Sequence, residues 1–312
     1  MALSPPPPLS PVITTYNPAQ LETPQLYALL TSTIGPRPIA LVSSINNAQQ
    51  PNLAPFSYFN IFSATPPILV FSPNLSGRTA APKDTLLNVR QVPQVVINMV
   101  SFDMVEQVSL SSCMYPAEVN EFVKTGLTPV PSEVVQPARV AESPVQFECL
   151  VNDIIELGNK GGAGNLIICE VVRIHLANYI LFPDGKVNQH ALQLVARLGS
   201  NFYSKAYGNA LFEVTRPVGQ GIGFDALPAS LLHSNILTAN NLAQLAVVEA
   251  NLLPTPPDVD IYSQTPQGQA TIAQAKQSTT ALHQALKTLL DAGKNREAWL
   301  LYYSVTNFIT SN

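Results

Sequence analysis

Along residues 34–176 apolar and polar positions alternate in short runs separated by Gly, Pro, Asn and Asp, a pattern of β-strands joined by turns. The runs predict strands over residues 39–45, 53–59, 68–72, 95–100, 145–157 and 166–176. Stretches of helical spacing fall between them: one over 85–91, for which Asp84 is the expected N-cap, and two more near 103–111 and 118–125. The strands do not alternate with long helices, which disfavours a doubly wound parallel sheet. A mainly β fold, an antiparallel barrel with inserted α-helices, is expected instead.

After Asp225 the period changes. Segments near 226–234, 238–251, 268–291 and 297–310 have helical spacing, and Leu282, Leu286 and Leu289 recur three or four apart beside His283. This region reads as an α-helical C-terminal extension, in which the PTPPD stretch at 254–258 separates two helices. Three segments result: a disordered Pro-rich leader over 1–13, a β-rich domain over 14–215 and the helical extension over 216–312.

Composition narrows the partners. With 312 residues, 46% of them hydrophobic, the chain can bury a sizeable core. Only 12% are charged and the net charge is -4 without long runs of one sign. That excludes a nucleic-acid footprint or a polybasic membrane patch and leaves small molecules and protein chains as partners, with a large subunit interface among them. The three cysteines, Cys113, Cys149 and Cys169, are far apart and form no C-x-x-C pair, so neither a disulfide framework nor a thiolate zinc site is suggested. The N-terminus MALSPPPPLSP lacks the basic-then-apolar order of a secretory signal, and no apolar run approaches a membrane span. A soluble cytoplasmic protein is expected.

The candidate chemistry is not that of a metal site or hydrolase. His175, His190, His233 and His283 stand without a second ligand at helical or hairpin spacing, and no G-x-S-x-G elbow occurs. The glycine-rich stretches at 158–165 and 219–223 lack the dinucleotide-binding order and read as a hairpin connection and a linker. No catalytic side chain is therefore assigned; a bound cofactor would carry the reaction. In FSPNLSGRTAAPKDTLLNV at 71–89, Ser76, Arg78, Thr79, Lys83 and Thr85 gather hydroxyls and two cations at a helix start, a set that suits a phosphate monoester. Taken alone, it also reads as a capped helix with two solvated cations. Ser43 and Ser44 end the first strand, and Ala54, Pro55, Phe56 and Ser57 follow in PNLAPFSYFN at 51–60. Together these segments offer the apolar walls, small residues and polar edge that a flat heteroaromatic ring needs.

The ordered blocks GPRPIALVSS, PNLAPFSYFN, PPILVFSP, SGRTAAPKDTLLNV and VVINMV, followed by the stretch from Cys113 to Cys149 and by RLGSNFYSK at 197–205, resemble the flavin reductase-like, FMN-binding split-barrel flavoproteins, a group that includes flavoredoxins. The resemblance covers residues 14–252 and implies a homodimeric split β-barrel with FMN near the subunit interface. It also implies oxidoreductase chemistry, with NADH or NADPH as a transient hydride donor and a flavin or a protein as electron acceptor. Carried over by position, Ser43, Ser44, Ala54, Pro55, Phe56 and Ser57 would hold the isoalloxazine ring. Ser72, Ser76, Arg78, Thr79, Lys83 and Thr85 would lie along the ribityl-phosphate end. Asn60 and Tyr203 would serve within the barrel and at the dimer interface. The chain departs from the family pattern at Ala80 and Ala81, where a more polar or glycine-containing turn is usual, and at Leu87, where many members are polar. Two alternatives remain: a flavoredoxin-like electron carrier without NAD(P)H turnover, and a flavin-free dimeric interaction module.

Overall fold

A computed structural model describes residues 13–214, 216–217 and 219–306. Apart from Ile13, the expected disordered leader lies outside them. The chain divides into two units, one ending at Phe212 and the other beginning at Glu213.

The first unit is built on seven antiparallel strands. They are β1 (Ala40–Ile45), β2 (Pro51–Phe56), β3 (Phe59–Ala64), β4 (Pro67–Phe71), β5 (Gln94–Met99), β6 (Val145–Glu156) and β7 (Asn165–Leu176), in the spatial order β2-β1-β5-β6-β7-β4-β3. Strands β2 and β3 thus form the two edges, yet only Ser57 and Tyr58 separate them in sequence. Three peptide steps reach at most about 11 Å, so the sheet has to curl until its edges nearly meet. The result is a β-barrel split between β2 and β3, with helices inserted between its strands.

Strand β1 shows how the sequence writes this barrel. All six residues are buried, because both faces are covered. Ala40 and Val42 point inward with Phe56, Phe71, Val95, Ile97, Ile167 and the thiol-bearing Cys149 and Cys169. Leu41 faces the opposite way with Leu53, Met104, Phe122 and Val140. Complete burial of a side chain such as Phe71 or Leu86 contributes ~1.5–3 kcal/mol. Burial also pushes the thiols of Cys149 and Cys169 well above the ordinary range, with smaller contributions from Glu148 and Cys149 respectively, which keeps both protonated and unreactive.

The helices of this unit include α1 (Thr23–Thr33), α2 (Asp84–Gln91), α3 (Val105–Leu110) and α4 (Glu121–Thr125), besides a single turn at Gln189–Leu192. Two details differ from the sequence reading. The N-cap of α2 is Lys83, which makes no side-chain capping bond, while Asp84 is the first helical residue. The single strand expected over 53–59 is interrupted at Ser57–Tyr58, and β3 is a separate strand. That break removes the strict alternation of the aromatics. Phe56 packs inside against Phe71, with ring centroids 5.2 Å apart, while Tyr58 and Phe59 are only half-buried.

The second unit contains α5 (Ala239–Ala246), α6 (Pro256–Gln264), α7 (Pro266–Ala275), α8 (Thr279–Asp291) and α9 (Asn295–Thr306), besides shorter turns. Leu245, Leu282, Leu286, Leu290, Trp299 and Leu301 are among the residues of its own core. Pro256 and Pro257 open α6 rather than merely separating helices: both occupy its first turn, where a missing N–H is no loss. The stretch 268–291 contains two helices, not one, because Ser278 caps a new start at Thr279, its hydroxyl oxygen accepting from the Ala281 N–H.

Candidate functional site

The seam of the barrel opens into a cavity of about 600 Å³. Its walls come from Leu26, Tyr27 and Leu30 of α1, from Phe59, Phe62, Val70 and Phe71, and from Leu157 and Leu166. Its polar groups include Thr23, Arg37, Ser57, Asn60, Ser72 and Asn74, with the Tyr58 ring beside them. The volume lies within the usual range for a small-molecule site.

Each polar group is fixed by the fold around it. The Ser72 hydroxyl oxygen accepts a hydrogen bond from the Asn165 backbone N–H at 3.0 Å, which leaves its own proton available. The Ser57 hydroxyl oxygen accepts from Arg37 Nε at 3.5 Å, with the same consequence. Asn74 Oδ1 is buried and has no partner. A Cβ on Gly164 would lie 2.8 Å from Ser72 Oγ and 3.6 Å from Asn74 Oδ1, so the absence of a side chain keeps these atoms clear. Among the cavity's polar groups, the Ser57 and Ser72 hydroxyls and the Asn74 carbonyl oxygen thus offer two donors and an acceptor against largely apolar walls, beside the hydroxyl-bearing Thr23, Tyr27 and Tyr58.

The 158–165 stretch is more than a hairpin connection. It docks on the loop that follows β4: Leu75 N–H donates to Ala163 O at 2.8 Å and Gly162 N–H to Leu75 O at 3.0 Å. Asn165 Nδ2 donates to Pro73 O at 2.9 Å. A Cβ on Gly161 would meet Ser76 O and Gly77 O at 2.9 Å, a contact that real Cβ atoms do not tolerate. Glycine is needed here for close approach of two backbones. Beyond this clamp Ser76 is half-buried, while Arg78, Thr79 and Lys83 are exposed. The turn that carries them is closed by Ala80 N–H donating to Ser76 O and Ser76 N–H donating to Ala81 O. Ala80 adopts φ 54°, a left-handed conformation, at the position where the sequence departs from the glycine-containing pattern.

The remaining predicted site residues lie behind this surface. Ser43 and Ser44 have no exposed area, and Thr85 is 1% exposed. Ser44 Oγ accepts from Asn52 Nδ2 at 3.3 Å and Asn88 Nδ2 at 3.2 Å, while Asn52 Nδ2 also donates to Thr85 Oγ1 at 2.9 Å. These four side chains tie β1, β2 and α2 together. Ser43 Oγ is buried without a partner. Ala54 and Pro55 are half-buried on β2, and Phe56 belongs to the barrel interior. Of the twelve predicted residues, Ser57 and Ser72 line the cavity.

Arg37, Asn74 and α1 join the site only through the fold. The approach of Thr31, Ile34 and Leu198 to Arg37 has no local signal in the sequence. The histidine reading also changes: His175 Nε2 lies 2.7 Å from Glu148 Oε1 across the β6–β7 pair. Glu148 is fully buried and accepts the backbone N–H groups of Glu133, Val134 and Val135. This is an anchor for the 131–137 loop.

The comparisons with known proteins agree with this geometry. A 205-residue match to a Halalkalibacterium halodurans protein shows 40% identity and spans 64% of this chain and 95% of that one. Component B of nitrilotriacetate monooxygenase from Bacillus cereus superposes with a TM-score of 0.61 at 31% identity, covering 66% of this chain and all of that one. The Pseudomonas fluorescens 2-nitrobenzoate 2-nitroreductase NbaA superposes with a TM-score of 0.58 at 27% identity, covering 66% of this chain and 99% of that one. The family model for the flavin reductase like domain matches residues 33–189, which contain the split barrel, the glycine clamp and every wall of the seam cavity except the one that α1 supplies, and the chain belongs to that family.

Proposed function

We propose that the chain is an FMN-binding oxidoreductase, an NAD(P)H-dependent flavin reductase, whose isoalloxazine ring occupies the seam cavity. The observation that carries this reading is the orphaned Asn74 Oδ1, which lines the same largely apolar cavity of about 600 Å³ as the Ser72 and Ser57 hydroxyls. The pyrimidine edge of a flavin presents two carbonyl acceptors and one imide N–H. The Ser57 and Ser72 hydroxyls as donors and Asn74 Oδ1 as acceptor offer its complement. The open side of Gly164 lets the edge approach. When bound, the flavin supplies the redox chemistry, and the protein binds and orients it and excludes water.

In this reading Ser57 and Ser72 donate to the ring, and Ala54 and Pro55 extend its wall. Ser76, Arg78, Thr79 and Lys83 receive the ribityl phosphate. Ser43, Ser44, Phe56 and Thr85 support from behind, since their side chains are sealed in the interior. The hydride donor is NADH or NADPH stacking transiently on the ring, and the acceptor is a free flavin or a protein. A homodimer forms along the edge strand β3, where Ile61 is 64% exposed and Phe62, at the cavity wall, 68% exposed. Among the described residues no helix is long and apolar enough to cross a membrane, and we place the protein in the cytoplasm.

Reconstitution tests the proposal directly. The purified chain should bind FMN, turn yellow and bleach anaerobically on addition of NADH or NADPH. Protein that stays colourless with excess FMN refutes flavin binding. Flavin that binds but does not bleach refutes the reductase and leaves an electron carrier.

A further inference from the structure

Arg37 is 9% exposed and lines the seam cavity. Its Nη1 donates to Thr31 O at 2.6 Å and to Ile34 O, its Nη2 to Leu198 O at 3.1 Å, and its Nε to Ser57 Oγ at 3.5 Å. Every acceptor is a neutral oxygen. Among the described residues, no carboxylate pairs with this guanidinium. Buried charges are normally paired, because desolvation of an isolated ion is costly. Carbonyl groups could be satisfied by a neutral donor, so the charge itself calls for an anion. The open space that Arg37 lines is the seam cavity.

We infer that Arg37 is the counter-ion of the bound flavin in its reduced, anionic form, acting in part through Ser57. The inference rests on the proposed FMN site. A hydride from a dihydronicotinamide brings two electrons and one proton together, converting the neutral ring to a monoanion while the donor becomes the pyridinium. No second proton is taken up, and the negative charge spreads over the N1–C2–O2 edge. Arg37 Nε–H holds the Ser57 oxygen, so the Ser57 proton points toward the occupant, and a hydroxyl polarised by a cation is a stronger donor. The arrangement is neutral toward the oxidised ring and attractive toward the reduced one, so it raises the reduction potential. Arg37 is a positioning and electrostatic residue here, and it reacts with nothing.

The test uses the full chain loaded with FMN, as wild type, Arg37→Gln, Arg37→Lys and Ser57→Ala. Thermal unfolding reports folding, titration gives the affinity for oxidised FMN, and dye-equilibrated reduction gives the midpoint potential. The preference for reduced over oxidised FMN should fall at least tenfold in Arg37→Gln, a downward shift of about 30 mV for a two-electron couple. Arg37→Lys should keep most of the wild-type potential, and Ser57→Ala should shift less than Arg37→Gln in the same direction. A wild-type potential in folded, loaded Arg37→Gln overturns the inference; so does an equal shift in the Lys and Gln variants, which would mark a purely structural clasp. If Arg37→Gln does not fold, an unshifted Ser57→Ala overturns it and a lowered one, with Arg37→Lys unchanged, supports it. Wild-type chain that takes up no FMN overturns the site proposal itself, and this inference with it.

Discussion

Single residues line the candidate site, and their legibility depended on where their partners sit. Ser57 and Ser72 were readable because each ends or follows a strand with a strong hydrophobic pattern. Arg37 was not: it is a lone cation between two prolines, and its partners lie at positions 31, 34, 57 and 198. Asn74 looks like any turn asparagine until its carbonyl oxygen is found buried and unpaired. Arg78 and Lys83 remain exposed beside the clamp, and replacing either by Ala should raise the Kd for FMN about tenfold, ~1.4 kcal/mol. An unchanged Kd in equilibrium titration would place the phosphate elsewhere. Ala80 is a separate matter of stability. A left-handed alanine costs about 1–2 kcal/mol, while glycine loses about 0.5–1 kcal/mol through its freer unfolded chain. Ala80→Gly should therefore stabilise the protein by up to about 1 kcal/mol, and a lowered denaturation midpoint would contradict the strain.

At the scale of elements, β6 and β7 were legible because twelve-residue strands leave a long pattern, whereas α1 was invisible. Of α1 only Thr31 is buried, so the helix has no strong amphipathic stripe to advertise it. The edge strand β3 merged with β2 because aromatics run through the break at Ser57–Tyr58. The anchor between β6 and the 131–137 loop makes a pH prediction. Burial alone would raise the pKa of Glu148, but hydrogen bonds from Glu133, Val134, His175 and Val135 outweigh it and hold the carboxyl below its usual value of 4.5. A lowered folded-state pKa stabilises the fold above the unfolded value, and that stability is lost as pH falls through the folded one. Glu148→Gln should cost about 1–3 kcal/mol at neutral pH. Its urea midpoint should converge with that of wild type below pH 4.5; parallel curves throughout would show that the carboxylate contributes nothing as an anion.

For the whole molecule, the barrel was legible as a class because no alternation with long helices competed with it. Its closure was not, since strand order is a fact about neighbours distant in sequence. The helical unit has a separate core, so damage there should stay there. Leu286 is fully buried among those helices, and Leu286→Ala should cost about 2–5 kcal/mol. Calorimetry of the FMN-loaded protein should show one transition moved and the FMN-stabilised transition unmoved. A single transition shifting as a unit would mean that the two cores melt together.

The link at Ser57–Tyr58 has a mechanical consequence. Where the hydrogen-bond ladder of a barrel is broken, its seam is held by side-chain packing, which loosens gradually on warming. Here two edge strands are also stapled by the main chain itself, at the point where the cavity begins. Bond lengths and angles do not soften with temperature as packing does, so the staple limits how far the seam can gape beside it. An insertion of a few residues between Ser57 and Tyr58 would lengthen that staple and free the edges to part without altering a single wall residue.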